Sequence, residues 1–538
     1  MSILGTLFRT TLFLLFSLFL IFTFLYSHVW FPDRLSEQHE RFQNHQDPKE
    51  FDFIIVGSGS AGSVLANRLS QNVNHSVLLL EAGKSDNTPL AKFTPLYLFM
   101  LKSVHDWQYY TIGEESEINP KHLLKKMFWP RGKILGGSSS MNAMIYMRGS
   151  PQDYDTWNEC EFGGKSKIWN FEHVLKYFKK SEAQQGPAEI FSDEYHGRNG
   201  EWIVKEQGET FSIIEPVVKA MSQVLSIPIV RDLNNPKITH SKDNSQSDFV
   251  EYGAVGTTQI HSLHGRRFST ADAFLNDTVL KRPNLFVRTE ALATNILFEG
   301  NKAVGVRYFD RRKKAYVEKR VRKEVILSGG AINSPQLLML SGIGDSKELS
   351  KHNITTIVDN KNVGKHLHDH LAIHVPYYIS WDYDSVLSVL FKPNEIYKVL
   401  FEGSGVLGTN GIGLNGLLKT KVCKNELVNS YPPSLWDVKN QQCYNKHHCD
   451  SHDIQVHNTP TVMENSETLH LHQHGFTFIP LLLQPKSRGG LKLKSNNPFV
   501  APIIDSNFVG HKHDKETMAE AIRSASLDGY YQELANRN

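Results

Sequence analysis

Residues 57–62 read Gly-Ser-Gly-Ser-Ala-Gly, which sets Gly57, Gly59 and Gly62 in G-x-G-x-x-G spacing with Ser60 and Ala61 ahead of the last glycine. Each glycine meets a different need of a bound pyrophosphate. Gly57 permits the tight turn, Gly59 lets the backbone approach the phosphates, and Gly62 lets the following helix pack against the preceding strand. The free N–H groups and positive end of that helix then face the anion. Glu81 stands about twenty residues past Gly62, where its carboxylate can accept hydrogen bonds from ribose hydroxyls. An acid at this point suits an unphosphorylated ribose and disfavours NADP. On these residues alone FAD and NAD are both open. A second stretch, Trp129–Asn142, holds Arg131, Gly132, Gly136, Gly137, Ser138, Ser139 and Asn142. Backbone donors and hydroxyls at that density can wrap a polyanionic or heteroaromatic ligand.

Positioning these residues takes strands, turns and helices in alternation. Phe51–Val56 is an apolar run suited to a parallel strand buried on both faces, Ser63–Leu69 has helical spacing, and Ser76–Leu80 reads as a second strand leading into Glu81. Farther on, Lys323–Ser328 predicts a strand, Gly329 and Gly330 a turn, and the next residues a helix that stops at Gly342. The Lys/Arg-dense stretch Arg307–Lys323 alternates with apolar residues and reads as the solvated face of a hairpin.

The fingerprint, the Glu81 strand and the Gly136-Gly137-Ser138-Ser139 loop together resemble the first motif of the glucose–methanol–choline (GMC) oxidoreductases. The segment Gly329–Gly344 is similar to the second. A colinear series supports the resemblance: Tyr146-Met-Arg148-Gly149, Tyr195-His196-Gly197, Gly265-Arg266-Arg267 with Ser269-Thr270-Ala271, and Asp369-His370. The resemblance implies an α/β fold with a Rossmann-like FAD-binding domain and a second domain whose antiparallel sheet covers the flavin. On its pattern 51–155 and 250–365 form the FAD-binding domain, 156–249 and 366–505 the substrate domain, 28–50 a linker and 506–538 a tail. It implies FAD as cofactor, held by the residues named above together with Gly330 and Ala293. Gly329 stands where the family usually has Ala. Ala293 stands where it often has Val beside the adenine, a contact made mainly through backbone. The implied activity is oxidation of the CH–OH group of a sugar, choline-like or other alcohol, with hydride passing to flavin N5 and with oxygen and quinone both open as electron acceptor.

The family's catalytic histidine belongs beyond the helix near Thr517–Ser524, with a second His or Asn beside it, and Leu527–Asn538 departs from that pattern. Alcohol oxidation needs a base for the hydroxyl proton, and a histidine suits that step. No catalytic residue is therefore assigned. This chain, read as C-terminally truncated, is expected to be impaired, and a non-catalytic flavin-binding or interaction protein is the rival. His370 fits the family's structural loop, and His470, His472 and His474 alternate as a packing face.

Across 538 residues, 59 Lys+Arg against 56 Asp+Glu leave a net charge of +3, which excludes a nucleic-acid surface. Thr10–Tyr26 is almost wholly apolar, just enough for a span that needs about 17–20 residues, and is read as an anchor helix or a cleaved signal within 1–27. With acceptor triplets at Asn74, Asn276 and Asn353 it implies a secretory-pathway glycoprotein, membrane-anchored or secreted. Cys423, Cys443 and Cys449 cluster in one stretch, with Cys160 apart, and suggest one loop disulfide. Neighbouring His447, His448 and His452 match no paired zinc spacing, so no metal is expected.

Overall fold

The computed structural model describes residues 34–36, 38, 48–112, 126–162, 168–239, 250–390, 392–422, 436–437, 442–443, 451–465, 468–470 and 473–525. A six-stranded sheet runs Leu285–Arg288, Val77–Leu80, Glu50–Val56, Ala315–Leu327, Lys302–Asp310, Ala291–Glu299 in spatial order. Its first four strands are parallel, and the last two are added as antiparallel neighbours. The parallel strands VLLL and LFVR are buried at every residue, as continuous apolar runs require when helices cover both faces. Phe53 and Ile55 pack with Ala66 of helix Ser60–Ser70 on one face, while Phe51, Ile54 and Val56 pack with Tyr308 and Leu337 on the other. Each such side chain contributes roughly 1.5–3 kcal/mol of burial.

The basic stretch is a hairpin, as its alternation predicts: Asp310 pairs with Ala315, and Arg307 and Arg320 reach Glu318 and Glu299 on its exposed side. Lys319 is the exception, buried with its Nζ donating to Pro48 O at 2.8 Å. Part of the expected linker is also packed. Leu35 is fully buried in the cofactor-side core, Gln38 donates to Leu280 O at 2.6 Å and accepts from Val287 N at 3.0 Å, and Arg34 reaches Asp272 at 3.2 Å.

A five-stranded antiparallel sheet forms the second layer, in the order Val375–Tyr378, Gly475–Leu482, Ile454–Thr459, Leu414–Thr420, Val250–Thr257. Helices Ile214–Leu225 and Lys512–Ala525 pack against it through Val217, Met221, Met518 and Ala521. Val250–Thr257 belongs to this sheet, so the boundary expected at 250 falls too early. The chain re-enters the cofactor layer with helix Thr270–Phe274, where Phe274 O accepts from Asn67 Nδ2 at 2.9 Å. Among the described residues no helix is long and apolar enough to cross a membrane. Thr10–Tyr26, expected as the anchor helix, lies outside them, as do Cys423, Cys449, His447, His448 and His472.

The motif residues Arg148 and His196 serve the fold. Arg148 Nη2 donates to Glu182 at 2.7 Å, and the His196 ring lies between Glu182 (Nδ1, 2.9 Å) and Asp232 (Nε2, 3.0 Å), all of them buried. Two carboxylates facing both ring nitrogens call for an imidazolium. Burial alone would lower the His196 pKa, but its hydrogen bonds to Asp232 and Glu182 prevail and raise it above the ordinary histidine value. A raised folded-state pKa gives stability that is full below the unfolded value of about 6.5 and is lost as pH climbs through the folded value. His196→Gln, which carries no charge to balance the two carboxylates and does not titrate, should cost about 3–5 kcal/mol at pH 6 and flatten that part of the profile. Urea unfolding midpoints between pH 5 and 9 measure both effects.

Candidate functional site

Three parallel strands end at one place: Val56, Leu80 and Leu327 are the last residues of their strands, and all three line a cleft of about 550 Å³. A crevice at the carboxyl ends of parallel strands is where α/β sheets bind ligands. Its floor is the turn into helix Ser60–Ser70, with Gly57, Gly59, Ser60 and Ala61 on the lining. Gly57 holds φ +97°, and a Cβ there would lie 2.5 Å from Ser328 O, so both the turn and the neighbouring strand demand glycine. At Gly59 the nearest protein atom to a Cβ would be Gly137 Cα at 4.0 Å; the space beside it belongs to the cleft.

Glu81 lines the cleft while almost fully buried. Its Oε2 accepts from Ser58 N (3.0 Å) and Ser58 Oγ (2.7 Å), and its Oε1 from Gly83 N (2.8 Å). Burial pushes the carboxyl above the ordinary carboxylate range against the pull of those bonds. Three of its roughly four acceptor positions are thus committed to orienting it, leaving capacity on Oε1 for a ribose hydroxyl. Arg131, Gly132, Gly137 and Ser138 form the facing wall, and Ala293 and Gly330 also lie on the lining. Arg131 stacks over Trp129 at 5.3 Å and lies 3.5 Å from Asp369, tying this wall to the Asp369-His370 loop.

Four residues expected to bind cofactor stand behind the lining. Gly62 packs so closely that a Cβ would lie 1.9 Å from Gly57 O, and Gly136 takes φ +85° against Ser140. Ser139 Oγ donates to Gly136 O at 2.6 Å, and Asn142 Oδ1 accepts from Arg267 Nη1 at 2.7 Å and Met144 N at 3.0 Å. They shape and brace the loop. Arg267, buried behind it, also donates to Ser139 O and Ala91 O, and desolvation lowers its pKa to about 10. His370 is not on the lining, and His474 packs, with Nδ1 2.7 Å from Ser385 Oγ and its ring stacked on Trp381 at 4.0 Å.

Sequence reading missed Ser58, Trp107, Asn333 and Gln336. Ser58 occupies a variable position of the fingerprint, and only its fold neighbour Glu81 gives it a role. Trp107 lines the cleft and stacks on Tyr109 at 5.8 Å, and Asn333 donates to Tyr109 Oη at 2.7 Å. No local spacing marks any of these.

The strand-end cleft, the glycine turn at a helix N-terminus and the buried acid Glu81 define a dinucleotide-binding protein of the two-layer type. The chain belongs to the GMC oxidoreductase family, whose pattern matches residues 51–372. It is 35% identical over 478 residues to an alcohol dehydrogenase [acceptor] of Pseudomonas putida, covering 88% of this chain and 77% of that one. Mouse mitochondrial choline dehydrogenase is 32% identical over 484 residues, with coverage of 88% and 72%. Among solved structures, an Aspergillus oryzae formate oxidase superposes with a TM-score of 0.74 at 23% identity, covering 90% of this chain and 82% of that one. A pyridoxine 4-oxidase from Mesorbium loti gives 0.70 at 22%, covering 90% and 81%. The cofactor is FAD, and the cleft fits it: an open glycine floor for the pyrophosphate, Glu81 for the ribose, and a donor-rich opposite wall.

Proposed function

We propose that this chain oxidises the CH–OH group of a small alcohol, choline-like compounds and sugars included, through FAD held in the strand-end cleft. The observation that carries this is the coincidence of the cleft's lining with the glycine floor and Glu81, in a chain 35% identical to an alcohol dehydrogenase. FAD, when bound, supplies the hydride acceptor. The turn at Gly57–Gly62 receives the pyrophosphate, Glu81 fixes the ribose, Gly137 and Ser138 offer donors from the facing wall, and Trp107 lines the cleft beside them.

A second reading has its own support. Among the described residues the cleft lining contains no histidine, and its one carboxyl, Glu81, is committed to Ser58 and Gly83. A slow enzyme and a flavin-binding protein without chemistry both follow from that lining. Anaerobic mixing of the FAD-loaded protein with a panel of primary alcohols, choline and sugars separates them without needing to know the electron acceptor. Slow bleaching of the flavin absorbance by at least one alcohol is expected; a flavin that stays oxidised with every compound leaves the non-catalytic reading. The chain is also read as entering the secretory pathway through Thr10–Tyr26, which carbonate extraction of cell membranes tests.

A further inference from the structure

Helix Pro393–Tyr397 continues into a π-helical turn, Lys398–Glu402, and stops at Gly403 with φ 64°. Its inward side is fixed: Glu395 is buried and accepts from Val406 N at 3.0 Å, and Val399 packs on the core. Its outward side carries three large apolar residues, Ile396, Tyr397 and Phe401, exposed by 41%, 53% and 66%, beside the exposed polar residues Asn394 and Glu402. A surface helix ordinarily turns charged and polar residues outward. Phe99, on the 3₁₀ segment Thr94–Met100, is 64% exposed. The two segments meet at Gly265: Thr94 Oγ1 donates to Gly265 O at 3.5 Å, and a Cβ on Gly265 would lie 2.8 Å from the Gly403 carbonyl. Scattered apolar residues on a surface need no explanation, but large ones gathered on adjoining segments mark a contact.

The N-terminal part of the chain docks beside the residues that lead into Thr94–Met100. Lys92, two residues before Thr94, is ion-paired with Asp272, and Asp272 holds Arg34 at 3.2 Å. From Arg34 back to Tyr26, the end of the apolar run, is eight residue steps, at most about 28 Å. Any bilayer that takes up Thr10–Tyr26 therefore lies within that reach of Arg34. We propose that the outward face of Pro393–Glu402, with Phe99 beside it, rests on a phospholipid bilayer on the side from which the apolar run is delivered. The aromatic rings and Ile396 enter the headgroup–acyl boundary. This holds whether or not the cleft turns over an alcohol.

The experiment uses the full chain carrying Leu15→Asp and Leu18→Asp, which disables the apolar run, with vesicles of phosphatidylcholine and phosphatidylglycerol in a flotation gradient. This chain should still float with the vesicles. Adding Ile396→Ser and Phe401→Ser should cut the floated fraction about fivefold or more, while Tyr316→Ser, an exposed aromatic on the basic hairpin, should leave it unchanged. Equal FAD content and melting temperature show that the variants fold, and a loss of FAD chemistry would not alter flotation. The proposal is overturned if the doubly aspartate-bearing chain fails to float, or if it floats equally with and without the serines. It is likewise overturned if the serines convert a dimer to a monomer without changing flotation, which makes the face a contact between copies.

Discussion

Gly59→Val should purify folded and colourless, whereas Gly62→Val should not accumulate as a folded protein at all. The two glycines sit three residues apart in one fingerprint, but what surrounds them differs. A Cβ at Gly62 would lie 1.9 Å from Gly57 O, a backbone atom held between two strands, and no side chain can move to relieve it. A clash of that kind costs more than the usual 1–3 kcal/mol of overpacking and is comparable with a total stability of about 5–15 kcal/mol. At Gly59 the nearest atom to an added Cβ, chain neighbours aside, is Gly137 Cα at 4.0 Å, so a valine there meets no backbone clash at Cβ and grows into the space needed by the pyrophosphate. Flavin-to-protein absorbance ratios and circular-dichroism melts read the two outcomes. A yellow Gly59→Val, or a Gly62→Val as stable as the parent, contradicts the assignment of floor and brace.

The second large effect is kinetic. General-base assistance is typically worth 10²–10⁴-fold, and the described cleft lining offers no histidine to provide it. Alcohol-dependent flavin reduction, followed anaerobically by stopped-flow absorbance, is therefore expected to run about 10²–10⁴-fold below a rate with such assistance. His370 is the residue that could upset this. The surrounding protein desolvates its ring and holds it below the ordinary histidine pKa, with Asp369 and Asp153 pulling upward, although the residue keeps an exposed surface, and its neighbour Asp369 lies 3.5 Å from Arg131 on the cleft wall. His370→Ala should leave the residual rate unchanged. A fast parent slowed a hundredfold by that substitution would make His370 the base.

The parts of the site that could be read from the sequence are those whose physics is local. Gly57 and Gly59 announce a turn and an approach by spacing alone, and Glu81 follows at the interval that one βαβ unit dictates. Gly136, Ser139 and Asn142 belong to the same motif, yet motif membership does not say which side of a loop wall a residue faces; three-dimensional packing against Ser140, Thr270 and Arg267 does. Ser58 was illegible for a related reason: its partner Glu81 is 23 residues away and meets it only when two strands lie side by side. The boundary at 250 failed because a β-rich run does not state which sheet it joins, and Val250–Thr257 pairs with a strand more than 150 residues downstream. Leu35 and Gln38 looked like linker because their partners, such as Leu280 and Val287, are distant in sequence.

The most direct test of the central claim is to strip the purified chain of nucleotide and titrate it separately with FAD and NAD, following protein fluorescence and calorimetric heat. The strand-end cleft, with the Arg131–Ser138 wall facing its glycine floor in a GMC family chain, predicts saturation by one FAD per chain, no binding of NAD, and loss of FAD binding in Gly59→Val. Saturable NAD binding, or FAD binding that Gly59→Val leaves intact, would contradict it.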